Sequence, residues 1–397
     1  MRNSTYPALC FLLTLVIAPC LGQAAKAPDL QRAAALAFEQ QGKNAEAEAA
    51  WRRYLKAHPA SPEPYAHLGL LEARQEHYKE AVPLYRKALA LGPQLPGVRL
   101  NLGLALFKGG EMKAAIAEFL PLLKDAPAES QQAQQLRILI GMSHYGLGEY
   151  KDAIPYLKEA AAHDVQNLPL RLTLAHSCLW TKQLQCVMDT YKEILSLNAE
   201  SAEADMLAGE ALDEMKDHNG AIEQFRAAVK ADPKVPEAHF GLGYLLWTQK
   251  QYVEASSEFQ VELANDPNHI QAMLYLADAK LKLNQGQEAA PLLEKLEKMN
   301  PAIGLAHLDL GSIYADAGRN DDALRELTEA SELTPEDADV HWRLGRLYRA
   351  LGKIAEAKAE FSKASAINQK SDDSLMNKIA NPAPGPEATP APESSSQ

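Results

Sequence analysis

An all-α solenoid of about ten stacked helical hairpins follows from three residue series that recur at a spacing of 34. Ala255, Ala289, Ala323 and Ala357 form the first, and Pro233, Pro267, Pro301 and Pro335 the second. The third is a small-residue series: Ala35, Gly69, Gly103, Gly141, Ala175, Gly209, Gly243, Ala277, Gly311 and Gly345. Only the Gly103 to Gly141 interval departs, at 38. A fixed period of this length means one supersecondary unit stacked on copies of itself.

Each unit reads as two amphipathic helices and a tight turn. In the ninth, Leu310, Gly311 and Tyr314 lie on the first helix, and Ala323, Leu327 and Ala330 follow at helical spacing on the second. Gly318 stands between them and Pro335 closes the unit. Glycine suits the left-handed residue after a helix C-terminus, where a Cβ is sterically costly. Gly42, Gly110, Gly148, Gly318 and Gly352 occupy this slot, with Asn284 as the next-best residue. Glu76, Lys182, Lys216 and Lys250 break the rule, and those turns are expected to be less well capped. A small pair such as Gly311 with Ala323 is expected to let the two helices approach closely.

The pattern resembles the tetratricopeptide repeat family: aromatic-x-x-Leu-Gly-x-x-Tyr, then Ala, Phe, Ala and Pro. Here it stands as Tyr65, Leu68, Gly69, Ala81, Tyr85, Ala88 and Pro93, and again as Leu344, Gly345, Tyr348, Ala357, Phe361 and Ala364. The large-residue slot of the second helix holds Trp51, Tyr85, Phe119, Leu157, Tyr191, Phe225, Phe259, Leu293, Leu327 and Phe361. The repeats are placed at 28–61, 62–95, 96–129, 134–167, 168–201, 202–235, 236–269, 270–303, 304–337 and 338–371. The resemblance implies a right-handed superhelix, and stacked units are expected to share one core without an internal boundary. The fourth and fifth repeats depart most: Val165 and Ala199 replace the closing proline, and Val187 an alanine. Ser130 to Ala133 is expected to add a helical turn and a local bend.

Flanking segments differ in kind. Residues 1–22 read as a signal peptide, with Arg2 as the sole charge before Lys26 and an apolar stretch from Ala8 to Ala18, where a bilayer span needs about 20 residues. Cleavage fits after Gly22, or as far on as Ala25. A lipid anchor at Cys20 is the alternative, although Pro19 departs from the lipoprotein pattern. Export to a periplasm or the exterior of a bacterial cell is expected. At the other end Leu375, Met376 and Ile379 suggest a short capping helix over 372–380, and the Pro/Ser-rich tail 381–397 cannot bury a core.

Composition narrows the function. Hydrophobic residues make up 47% of the chain, as closely packed helices require. Loss of Arg2 with the leader moves the net charge from −12 to −13. No basic stripe runs along the array, which argues against nucleic acid. There is no His-Glu-x-x-His, phosphate-binding glycine loop or nucleophile elbow, so no catalytic residue, cofactor or metal is assigned. His239, His307 and His341 share one repeat position, too far apart to ligate one metal, and are expected to serve the stacking interface. Beyond the leader only Cys178 and Cys186 remain. They are either a disulfide across the fifth hairpin or two buried small hydrophobes.

In proteins that this chain resembles, the concave face comes from fixed positions of the first helices. Mapped here, they give Leu104 and Phe107, Met142 and Tyr145, and Trp180. Glu210 and Asp213 follow, then Phe240, Tyr244 and Trp247, and at the far end Arg346 and Arg349. Aromatic residues, methionine and arginine are the types enriched at interface anchors. The expected function is binding of an extended peptide or helix of a partner protein, with the acidic pair either selecting a basic segment or forming a solvated face. A structural scaffold in a cell-envelope export or assembly machine is the alternative. The family's carboxylate clamp is not visible: Asn101 stands alone, and Arg343, Arg346 and Arg349 form a basic stripe only at one end.

Overall fold

A computed structural model describes residues 27–197 and 200–380, with side chains at residues 30–370. The expected signal peptide (with Cys20) and the Pro/Ser-rich tail lie outside the described residues. Every regular element is a helix among those residues. No helix there is long and apolar enough to cross a membrane.

The chain forms two compact units, divided between Gly220 and Ala221. Hairpins cohere only with their neighbours, so a uniform period does not oblige all of them to share one body.

The first unit pairs α1 (Ala27–Gln40) with α2 (Asn44–Ala57), α3 (Pro62–Arg74) with α4 (Tyr78–Leu91), and α5 (Val98–Lys108) with α6 (Met112–Asp125). It continues with α7 (Gln131–Gly146) and α8 (Tyr150–His163), α9 (Leu168–Trp180) and α10 (Leu184–Leu197), and α11 (Ala202–Glu214). Consecutive helices pack on one another, and the first helices of successive hairpins also touch, as α7 does α9. Helix α12 (His218–Ala231) opens in the last residues of this unit. The second unit holds α13 (Ala238–Thr248), α14 (Tyr252–Asn265), α15 (Ile270–Lys282), α16 (Gly286–Met299), α17 (Gly304–Asp316), α18 (Asn320–Leu333), α19 (Ala338–Ala350) and α20 (Ile354–Ala380). The last helix runs unbroken to Ala380, so residues 372–380 continue it and are not a separate cap.

Close approach within a hairpin has a specific cause. A Cβ added to Gly345 would sit 2.9 Å from the Phe361 ring, and one on Gly311 would sit 2.6 Å from Leu327. Gly103 stands in the same relation to Phe119. The small residue of the first helix therefore accommodates the large residue of the second, not the alanine named from sequence. Trp51, Tyr85, Phe119 and Phe259 are fully buried by this arrangement.

The turns correct a second expectation. Glu76, Lys182, Lys216 and Lys250 adopt φ of 63°, 57°, 68° and 62°, in the same region as Gly318 at 74°. Their hydrogen bonds match too: Gln183 N donates to Cys178 O at 2.8 Å, as Arg319 N does to Tyr314 O at 2.8 Å. These turns are capped like the glycine turns, and the side chain instead costs conformational strain. Gly97 and Glu237 are also left-handed, directly after Pro96 and Pro236. Proline followed by a positive-φ residue is the signature of a type II turn. It shortens α5 and α13 to 11 residues, against 13 in α3. Helix α7 is longer, at 16 residues, and Ser130 Oγ caps it by accepting from Ala133 N at 3.1 Å.

Candidate functional site

In the first unit, the residues singled out from sequence separate by burial. Leu104 and Phe107 are half-buried against the core formed by α3 to α7. Met142 and Tyr145 are half-buried against the core around α8 and α9. Trp180, the last residue of α9, is 67% exposed. Its ring stacks on Tyr150 at 5.7 Å, and Tyr150 meets Tyr145 edge-on at 5.5 Å. Tyr150 escaped the sequence reading because it opens a second helix, outside the positions taken to face a ligand. On α11, Glu210 is exposed, and Asp213 Oδ1 lies 2.8 Å from His218 Nδ1.

Cys178 and Cys186 are joined by a disulfide, with Cα atoms 5.9 Å apart. Cys178 is fully buried between α9 and its neighbours, where the hairpin converges toward the turn at Lys182.

In the second unit, Phe240, Tyr244 and Trp247 follow one face of α13 and are half-buried. Tyr275 of α15 packs edge-on against Tyr244 at 5.3 Å and Trp247 at 5.1 Å, and lies 6.0 Å from Phe240. Trp247 Nε1 donates to Asp278 Oδ2 at 2.7 Å. Phe240 also contacts the buried Phe259, so the cluster is rooted in the core. Neither Tyr275 nor Asp278 was found from sequence, because neither stood among the residues mapped from the repeat template. Burial, together with Tyr244 and Asp278, raises the Tyr275 phenol above its ordinary value. Asp309 of α17 is pushed up to about 6 by burial first and by Asp278 next, against the opposing pull of Arg343 and Lys282. On α19, Arg346 lies 4.8 Å over the exposed Trp342 ring, and Arg349 5.7 Å over Phe361. Arg343 is held by Asp339 at 2.9 Å and Ser312 at 2.8 Å.

One repeat position carries ionic pairs in both units. Arg99 reaches Glu118 at 2.9 Å. Arg137 donates to Glu159 at 2.5 Å and to the Ala128 carbonyl at 2.9 Å. Arg171 bonds Glu193 at 3.2 Å and the Asp164 and Ala161 carbonyls at 2.9 Å each. Asp205 reverses the roles and accepts from Tyr191 Oη at 2.9 Å. In the second unit the slot holds His239, His307 and His341, with Met273 in the remaining hairpin. Nδ1 of His239, His307 and His341 lies 2.6, 2.7 and 2.6 Å from Glu258, Glu326 and Glu360. Nε2 of each faces a proline carbonyl, on Pro233, Pro301 and Pro335, at 3.2, 3.0 and 2.9 Å.

Among the described residues, imidazoles and carboxylates approach one another in three groups: His144 with Glu149 and Asp152, Glu237 with Glu262 and His269, and Glu297 with His307 and Glu326. In the second, the His269 ring is spent on Glu237 at 2.8 Å and on Ala272 N at 3.0 Å. In the third, both nitrogens of His307 are likewise spent. The first is a turn pair of a kind seen again at Glu72 with His77 and at Asp213 with His218. In the second and third groups both ring nitrogens of the histidine thus have hydrogen-bonding partners. His144, Arg137, Tyr156 and Glu159 also line an open cleft of about 580 Å³ between α7 and α8.

Comparison with known proteins agrees with the hairpin geometry. A sequence model described as tetratricopeptide repeat matches residues 72–137, 144–211 and 314–378, and a second of the same description matches 32–96, 206–270 and 274–327. The TPR repeat-containing thioredoxin TTL4 of Arabidopsis thaliana is 25% identical over 202 residues, which cover 47% of this chain and 29% of that protein. The chain thus spans under a third of that relative's length. Among solved structures, YrrB, described as a TPR protein with an unusual peptide-binding site, is 22% identical, with 48% of this chain and 97% of that one covered and a TM-score of 0.42. MamA from Desulfovibrio magneticus RS-1 is 22% identical, with 43% and 97% covered and a TM-score of 0.41.

Proposed function

Because the chain belongs to the tetratricopeptide repeat family, whose repeats are protein–protein interaction modules, we propose that it binds an extended peptide or helix of a partner protein through aromatic anchors. The observation that carries this reading is Trp180. An indole left 67% in water yet held in place by a stack on Tyr150 loses little freedom on binding and gains much from burial. The half-buried cluster of Phe240, Tyr244, Trp247 and Tyr275 is a second anchor of the same chemistry in the other unit.

The disulfide between Cys178 and Cys186 supports a working place outside the reducing cytoplasm, in keeping with the apolar stretch at Ala8 to Ala18. We therefore place the interaction in a bacterial periplasm or at the cell exterior.

Trp180→Ala is the direct test. Replacing an anchor of this type costs about 2 kcal/mol or more, so partner recovery by crosslinking in the native envelope should fall at least about tenfold. Circular dichroism should change little, since the ring contributes almost nothing to the core. Undiminished recovery from a folded variant would remove Trp180 as an anchor. Trp247→Ala is a poorer probe, because it also breaks the bond to Asp278 and the packing on Tyr275.

A further inference from the structure

We propose that the second unit contains a proton-binding staple, His307, which makes the packing of the α17–α18 hairpin sensitive to alkaline pH. The His307 ring faces a carboxylate through Nδ1 and a proline carbonyl through Nε2, as do the rings of His239 and His341. A carbonyl can only accept, and an ionised carboxylate can only accept. Both bonds therefore require a proton beyond those of a neutral ring and an ionised acid. When that proton leaves, one ring nitrogen presents a lone pair to an oxygen, and a buried polar group goes unsatisfied.

His307 and Glu326 are 3% and 2% exposed. The charges facing it are Glu326 on α18 and Glu297 on α16, with Arg325 of α18 bonded to the other oxygen of Glu326 at 2.8 Å. Burial opposes the charged ring, but the bonds to Glu326 and the Pro301 carbonyl and the two acids outweigh it, and the His307 pKa is raised. Around His341, Glu360 also accepts from Lys363 at 2.8 Å. Around His239, the Pro233 carbonyl is shared with Asn265 at 2.9 Å.

The first unit provides a comparison within the same chain. Arg137 and Arg171 use the same repeat position to bond a carboxylate and a main-chain carbonyl, as the histidines do. Guanidinium keeps its protons throughout the accessible range, so these pairs do not respond. His67 of α3 lies at another repeat position, with Glu39 at 2.8 Å.

The test is amide hydrogen exchange on the full chain at pH 6 and pH 9, corrected for the intrinsic rate. Losing a charge-assisted bond weakens a hairpin by an amount that corresponds to about tenfold in opening. Protection in α17 and α18 should thus fall about tenfold, while α7 to α10 hold theirs. Glu326→Gln should flatten the response of α17 and α18 alone. Equal pH response in the two regions of the unmodified protein, or a His307 ring found neutral at pH 6 by its imidazole carbon shifts, would overturn the proposal. If Glu326→Gln does not fold, those two measurements on the unmodified chain decide it.

Discussion

Lys182 sits in a backbone conformation that favours glycine, at φ 57°. Its hydrogen bonds are intact, so its cost is strain alone. Left-handed geometry costs a residue with Cβ roughly 1–2 kcal/mol, and glycine returns up to about 1 kcal/mol of that through the extra freedom of the unfolded chain. Lys216→Gly and Lys250→Gly should therefore stabilise their hairpins by up to about 1 kcal/mol, seen as a higher unfolding midpoint in urea. A lower midpoint would contradict the strain argument. The opposite change is expected at Gly311, where an added methyl would stand 2.6 Å from Leu327. Gly311→Ala should cost about 1–3 kcal/mol by overpacking. Asp309 makes a pH-specific case. Its folded pKa of about 6 exceeds the ordinary 3.8, so the native state binds the proton more tightly and stability falls as pH rises between those values. Asp309→Asn should remove that fall from a plot of melting temperature against pH.

At the scale of the element, the α9–α10 hairpin departs most from the repeat. It has a strained turn at Lys182, Val187 in place of the alanine, and a disulfide between Cys178 and Cys186 with a sequence separation of 8. Closing so short a loop is worth about 2–3 kcal/mol in the chain-entropy description. Reduction should release α9 and α10 first in exchange experiments, and uniform loss of protection would argue against a local role. The His307 staple gives the α17–α18 hairpin a sign of its own. Its folded pKa is raised, so its contribution is complete below 6.5 and is lost as pH rises through the folded value. The Glu360 pKa is lowered: burial works against this, while the bonds to Lys363 and His341 outweigh it. That part of the stability of α20 is present above 4.5 and is lost as pH falls through the folded value. The His307 and Glu360 contributions are therefore lost at opposite ends of the pH range.

For the whole molecule, the governing fact is that each hairpin packs on its neighbours within its own unit. Stability in such an array is a sum of hairpin and neighbour terms. An overpacking change at Gly141 should reduce protection around α7 and α8 and leave α17 to α20 unaltered, while Gly311→Ala should do the reverse. Protection lost across all helices from either change would show that the array unfolds as one.

The period of the chain was enough to predict ten helical hairpins and which helices pair, but it named a small-on-small contact where the packing sets the small residue against the large one. The hairpins and their pairing rest on local spacing, which a repeat writes many times over. The proposed anchors were partly legible: Trp180, Phe240, Tyr244 and Trp247 stand at the positions that the family resemblance implies, and the pairing of the two cysteines was left open. Three-dimensional packing settled the rest. It brought Tyr275 and Asp278 onto Trp247 from the next hairpin, gave the lysine turns glycine geometry, and set His239, His307 and His341 each between a carboxylate and a proline carbonyl. The reason is physical: periodicity states which residues share a face, but a hydrogen bond depends on distances of a few tenths of an ångström between atoms far apart in the chain, and only the packed hairpins determine those.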